Sequence, residues 1–278
     1  MNQLAYLIKK HEISYNFSAL LWSEMVQKQY EEKGLLAVAP SFNHSNMNES
    51  RYALGALNHT QTEAQYISGL FNGDTLIGSQ ATSQAFLESA QSYGILHLAT
   101  HAQVNMDQIE KSCLYFSPDS LSNENLYISD LYNLNFPTDL VVLSACETGV
   151  GEVIKGEGVV SLARGFAYAG ASSIVTSLWR VRDNSTSEFM KVFYENLKNG
   201  ERKSEALRNA KLDFIDSNPQ YAHPFYWAPF VGIGNMEEID NSDLPNTLTY
   251  VFGILIMGAL AYLFFWKERK DMGKEENE

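Results

Sequence analysis

Two residues that could do chemistry together, His101 and Cys146, each stand close after a short apolar run. The runs are ILHLA at 95–99 and LVVLSA at 140–145. Continuously apolar runs of this length indicate buried strands, and the carboxyl ends of neighbouring parallel strands meet at one edge of a sheet. A histidine there could take the proton of a cysteine thiol and later return it to a leaving amine. From spacing alone, this hypothesis and simple packing of both side chains remain equally open.

The segments around the two residues could supply the rest of such a site. The backbone N–H groups of Cys146 and Ala102 are candidate donors to an oxyanion. Glycines at 149 and 151 would let the backbone approach a substrate closely. Six residues are candidates for lining a substrate pocket: Ser144, Glu147, Thr148, Gly149, Trp179 and Asp183.

Other polar and aromatic residues have simpler explanations. His97 shares a strand face with Ile95 and is expected to be structural, and Cys113 is expected to pack in a hairpin region. Trp227, like Trp179, could wall a side-chain pocket, although core packing would explain it as well.

Composition and missing motifs exclude several classes of function. The net charge of -13 argues against nucleic acid as a partner. Two cysteines make no disulfide framework, and no CxxC pattern or histidine cluster suggests a metal. A nucleotide-binding domain is disfavoured because no GxGxxG or Walker-type loop follows the first strand. We therefore expect neither a cofactor nor a metal.

The remaining elements predict an α/β domain. Apolar runs alternate with amphipathic stretches, which favours a mostly parallel sheet covered on both faces. Thr60 with Glu63, and Ser185 with Glu188, form capping-box patterns that predict helix starts. The predicted strands are 35–39, 95–99, 140–145, 173–179 and 230–233, with a small hairpin at 114–116 and 126–128; the predicted helices are 60–71, 84–93, 156–169, 185–200 and one through 207–214.

The composition changes after the domain. Residues 237–245 are acidic and polar, which is typical of a linker, and residues 247–266 carry no charge. Twenty such residues match the thickness of a bilayer, so a transmembrane helix is predicted at 246–266. A basic and polar tail follows at 267–278. The positive-inside rule predicts this tail in the cytoplasm and the domain on the other side.

Several motifs together resemble the CHAT domain. They are HLATHA at 97–102, LSACETGVG at 143–151, GEG at 156–158, LARGFAYAGASSIVTSLWRVRD at 162–183 and PFYWAPFVGIG at 224–234. The resemblance implies a caspase-like three-layer α/β/α sandwich over residues 1–236, with His101 and Cys146 as the catalytic pair. It also implies association with tetratricopeptide repeats upstream. No such repeat is recognised in this sequence, so we expect that the chain is a fragment of a longer protein.

Two positions depart from the pattern of related peptidases. Ala102 stands where glycine often follows the histidine, although alanine still offers its backbone N–H. Ser144 stands two residues before the cysteine, where members that cleave after basic residues tend to carry an acidic side chain. Specificity for arginine or lysine is therefore not expected.

The sequence thus predicts a membrane-anchored cysteine endopeptidase. Its substrate would be a protein or peptide, and the reaction would pass through a thioester on Cys146. The alternative is a catalytically silent module of the same fold that acts in protein interaction or signalling.

The predicted anchor can be tested by truncation. Removing residues 246–278 should move the protein from the membrane to the soluble fraction, because the apolar segment is lost. Removing only residues 267–278 is the control and should leave it in the membrane. A full chain that stays soluble without detergent or lipid would show the transmembrane prediction to be wrong.

Overall fold

The computed structural model describes residues 5–28, 34–42, 59–105, 107–119, 124–144, 146–147, 157–179 and 183–239. Within these ranges the helices are α1 (Ala19–Gln27), α2 (Thr60–Phe71), α3 (Ser83–Ser89), α4 (Ile128–Leu131), α5 (Glu157–Tyr168), α6 (Asp183–Lys198) and α7 (Lys203–Ser217). The strands are β1 (Leu35–Pro40), β2 (Asp74–Gly78), β3 (Ile95–Leu98), β4 (His101–Gln103), β5 (Cys113–Tyr115), β6 (Asn125–Tyr127), β7 (Leu140–Leu143), β8 (Cys146–Glu147), β9 (Ser173–Ser177) and β10 (Phe230–Gly234).

Among the described residues, six strands form the main sheet in the order β10-β9-β7-β3-β1-β2. The strands are parallel except β10, which runs antiparallel to β9. The predicted neighbours β3 and β7 are paired and parallel, with Ile95 opposite Leu140 and Leu98 opposite Leu143. The prediction of a mostly parallel sheet is therefore confirmed.

Alternation along the strands builds an apolar layer on each face of the sheet. On β3, Leu96 and Leu98 face one layer, which also receives Phe86 of α3 and Phe166 of α5. The other face carries side chains from β1, β3, β7 and β9 and is covered by α2, α6 and α7. This is the three-layer arrangement that the sequence predicts.

A second sheet continues two of the main strands. Its order is β6-β5-β4-β8 across the described residues, with β4 following β3 and β8 following β7. The predicted hairpin is present as the antiparallel pair β5 and β6. The edge of the main sheet at β10 is also extended, because Tyr15 exchanges backbone hydrogen bonds with Gly232 and Gly234 at 2.9 and 3.0 Å.

Three details differ from the sequence predictions. Strand β2 was not predicted, because DTLIG is a half-exposed edge strand with only two apolar side chains. Helix α1 was also not predicted; its N-cap is Ser18, whose side chain accepts a hydrogen bond from the Leu21 N–H. Both predicted helix starts are confirmed to within two residues, but the predicted caps are wrong, because the N-cap of α2 is His59 and α6 begins two residues before Ser185.

A buried ion pair links the elements that meet at the amino ends of the central strands. Lys203, the first residue of α7, is fully buried, and its Nζ lies 2.7 Å from Oδ1 of Asp139, which precedes β7. Ser172, which precedes β9, donates to the same carboxylate at 2.8 Å. Burial lowers the pKa of Lys203, and the Asp139 charge acts in the opposite direction. The pair therefore joins α7, β7 and β9 at the edge away from the candidate site.

We expect Lys203→Ala to lower the free energy of unfolding by about 3–5 kcal/mol, because Asp139 would stay buried without its cation. Urea unfolding followed by tryptophan fluorescence measures the change. The matched control is Arg202→Ala, which removes a partly exposed pair with Glu12 and should cost less than about 1 kcal/mol. Equal small losses in the two variants would contradict a stabilising role for the buried pair.

Candidate active site

The site is built where β3 and β7 pass into β4 and β8. Ala99 and Thr100 on one strand, and Ser144 and Ala145 on the other, separate the two ladders in the sequence. Pairing then resumes with His101 directly opposite Cys146 in the parallel pair of β4 and β8. Neighbouring strands lie about 4.8 Å apart. The fold therefore brings these two backbone positions side by side.

His101 is buried and packs against an aromatic ring. Its side chain is 1% exposed, and its ring centroid is 4.8 Å from that of Phe42, which follows β1. Ala102 is in register with Glu147 on one side and Leu114 on the other. The role of Ala102 and Cys146 as oxyanion donors stays a prediction.

Ser144 is held by a buried polar cluster. Its Oγ donates to Oε1 of Glu63 at 3.0 Å, and Nε2 of His97 lies 2.9 Å from the same oxygen. Nδ1 of His97 is 3.1 Å from the Tyr194 hydroxyl. His97 is thus buried with both ring nitrogens hydrogen-bonded, which confirms that it is structural. Ser144 itself is buried beside a carboxylate that the sequence analysis assigned to a helix cap.

Two aromatic side chains meet at the same edge of the sheet. Trp179 follows β9, and its Nε1 donates to the carbonyl of Phe225 at 2.9 Å. The two rings lie 6.4 Å apart with an angle of 31° between them, and Phe225 is 48% exposed. Phe225 was not predicted from the sequence as a site residue. The signal was its place before an antiparallel last strand, which brings it to the carboxyl end of β9.

Trp227 is not a pocket residue. It is buried, its Nε1 donates to the carbonyl of Ala222 at 3.1 Å, and it packs in the core under α6 and α7. Cys113 is likewise buried in β5, against Phe42 and Tyr115, as the sequence analysis expected.

The other predicted pocket residues are placed only in part. Glu147 lies in β8 in register with Ala102, and Asp183 is the first residue of α6. Thr148 and Gly149 lie outside the described residues.

The described part of the chain contains neither a membrane-spanning helix nor a cluster of metal-binding side chains. No helix there has the length and apolar character needed to cross a bilayer. The predicted segment 246–266 lies outside the described residues. No group of three or more histidine, cysteine or acidic side chains is placed to hold a metal within the described ranges.

Comparison with known proteins gives a family and a fold. Residues 1–235 match the family described as the CHAT domain. Human tetratricopeptide repeat protein 28 is 28% identical over 231 residues, and the match covers 71% of this chain but only 9% of that protein. A solved chain of the Saccharomyces cerevisiae separase–securin complex is similar with a TM-score of 0.52 and 12% identity, over 81% of this chain and 14% of that chain. The Arg-specific cysteine proteinase gingipain R matches with a TM-score of 0.46 and 10% identity, over 74% and 46% of the two chains.

Proposed function

The chain belongs to the CHAT domain family, and from this premise we propose that it is a cysteine endopeptidase in which His101 and Cys146 form a catalytic dyad. The observation that carries the proposal is the register of β4 and β8, which puts the two residues opposite each other. A caspase-like fold supports it, since the domain shares its architecture with the separase chain. Cysteine beside histidine is one of the pairings of residue types that can perform acyl transfer.

The proposed reaction needs only the two side chains, backbone donors and water. His101 takes the Cys146 thiol proton, and the sulfur attacks the carbonyl carbon of the scissile peptide bond. Backbone N–H groups, for which Cys146 and Ala102 are the candidates, would stabilise the oxyanion. The histidine then gives its proton to the leaving amine, which leaves a thioester on Cys146. Water, deprotonated by His101, attacks the thioester to release the acid and restore the thiol.

A second candidate function is the catalytically silent module. The observation that favours it is the 1% exposure of His101, since a general base must reach the substrate. In the active alternative, substrate or a partner would have to open this part of the surface.

Anchoring and partners form the rest of the proposal. Residues 246–266 would hold the domain at a membrane, with the 267–278 tail in the cytoplasm and the domain on the opposite side. The match to a tetratricopeptide repeat protein supports association with such repeats. The substrate would be a protein or peptide.

The dyad predicts that Cys146→Ala and His101→Ala each abolish peptide cleavage, because an unassisted thiol is only a few per cent thiolate near neutral pH. Labelling with a thiol-reactive peptide probe should likewise disappear in Cys146→Ala. Cys113→Ser is the matched control and should keep both labelling and cleavage. Undiminished cleavage by Cys146→Ala would refute the dyad, and a folded wild-type protein that neither cleaves nor labels would favour the silent module.

A further prediction concerns the substrate residue on the amino side of the cleaved bond. The side chain of this residue should be uncharged. Ser144 brings no charge of its own, and the Glu63 carboxylate that it contacts is buried and already accepts from Ser144 and His97. An unpaired buried substrate charge would be costly. The exposed ring of Phe225 beside Trp179 suits an apolar side chain. A peptide-library profile should show this preference, and Phe225→Ala should lower kcat/KM for the best large apolar residue by about tenfold. Strong selection for arginine or lysine would overturn this pocket argument and leave the dyad in place.

A further inference from the structure

The Glu63 cluster consists of four side chains: Glu63, His97, Ser144 and Tyr194. They come from α2, β3, the residue after β7, and α6, and all four are buried. Polar groups this deep are costly unless they are hydrogen-bonded. Three elements and the residue after β7 contribute to one network, and the network ends on the segment that leads to Cys146.

The hydrogen bonds of the cluster have a definite direction. A carboxylate can only accept, so both Ser144 Oγ and His97 Nε2 donate to Glu63 Oε1, at 3.0 and 2.9 Å. Nδ1 of His97 lies 3.1 Å from the Tyr194 hydroxyl. Burial, and secondarily the Glu63 charge, raises the pKa of Tyr194 well above its ordinary value, so the hydroxyl keeps its proton. The network therefore runs from Tyr194 through His97 to Glu63, which accepts from both His97 and Ser144.

The bond to Ser144 lies at the junction between the two ladders. On the histidine side, Ala99 N–H donates to the Val38 carbonyl at 2.9 Å, and the Thr100 hydroxyl donates to the Tyr115 carbonyl. On the cysteine side, the side chain of Ser144 donates to Glu63. Each strand is thus tied by a side chain within two residues of its candidate catalytic residue.

We propose that Glu63 is a positioning residue, which accepts the Ser144 hydrogen bond and thereby fixes the segment between β7 and β8 so that Cys146 stays opposite His101. The inference rests on the proposed dyad. Glu63 acts through Ser144 and does not take part in the chemistry. Its place in the first turn of α2 links this helix to the geometry of the nucleophile.

Because of the second carboxylate oxygen of Glu63, the effect of the hydrogen bonds can be tested separately from the effect of the charge. Oε2 of Glu63 is buried and has no hydrogen-bond partner among the described residues. In Glu63→Gln, the amide oxygen could keep both bonds of Oε1, while the amide nitrogen replaces an oxygen that has no donor to lose. Glu63→Ala removes the bonds as well. If Glu63 acts by positioning, Glu63→Gln should keep the reactivity of Cys146 that Glu63→Ala loses.

The experiment measures alkylation of Cys146 by iodoacetamide in the whole 278-residue chain, read from the mass of its peptide so that Cys113 does not interfere. We expect Glu63→Ala and Ser144→Ala each to slow alkylation near neutral pH, and to lower kcat/KM, by about 10- to 100-fold. The pH profile of alkylation should move toward that of an unassisted thiol, with a pKa of about 8.5, as it should in His101→Ala. The double variant should be little worse than either single one, because both changes remove one interaction. Glu63→Gln should keep most of the reactivity.

Ser172→Ala is the matched control for loss of a buried hydrogen bond. Ser172 binds Asp139 at the opposite ends of the strands, so its loss should lower stability without changing the pH profile. A folded Glu63→Ala variant with the wild-type profile would overturn the positioning role. Glu63→Gln as impaired as Glu63→Ala would also overturn it, in favour of a role for the charge. A wild-type Cys146 that already reacts like an unassisted thiol, and is indifferent to His101→Ala, would instead overturn the proposed dyad.

Discussion

The pairing of β3 with β7 is the interaction on which the rest of the site depends. These two strands are central in the sheet and covered on both faces, so a shift of one residue would bury the wrong side chains throughout both layers. Their register therefore cannot drift. Because β4 and β8 follow within a few residues, the same constraint carries forward and sets His101 opposite Cys146. The packing of the core thus fixes the relative backbone positions of His101 and Cys146 beyond the carboxyl ends of β3 and β7.

The two ends of the central strands use buried charge in different ways. At the amino ends, Asp139 meets a lysine and forms a closed ion pair. At the carboxyl ends, one oxygen of Glu63 accepts from Ser144 and His97, and the other lacks a partner among the described residues. A paired charge joins elements at modest cost, whereas an incompletely paired one is retained at a cost in stability.

Features that repeat along the chain were predictable, and features that depend on distant contacts were not. The apolar runs at β1, β3, β7 and β9 gave the sheet, because strands buried on both faces must be apolar throughout. Glu63 fitted a local capping pattern, which concealed its contact with Ser144, 81 positions away. Phe225 was missed for a similar reason, since only the antiparallel direction of β10 brings it to the site.

The backbone bridge between Tyr15 and the last strand has a consequence for self-association. An uncovered edge strand offers a row of N–H and C=O groups that another chain can pair with. Strand β10 is the last strand on its side of the main sheet. Tyr15 forms backbone hydrogen bonds with Gly232 and Gly234 on the outer side of this strand. The segment before α1 therefore protects this edge of the sheet from pairing with a strand of another molecule. If cleavage or a competing segment displaced it, the backbone groups of Gly232 and Gly234 would become available for pairing with a strand of another chain.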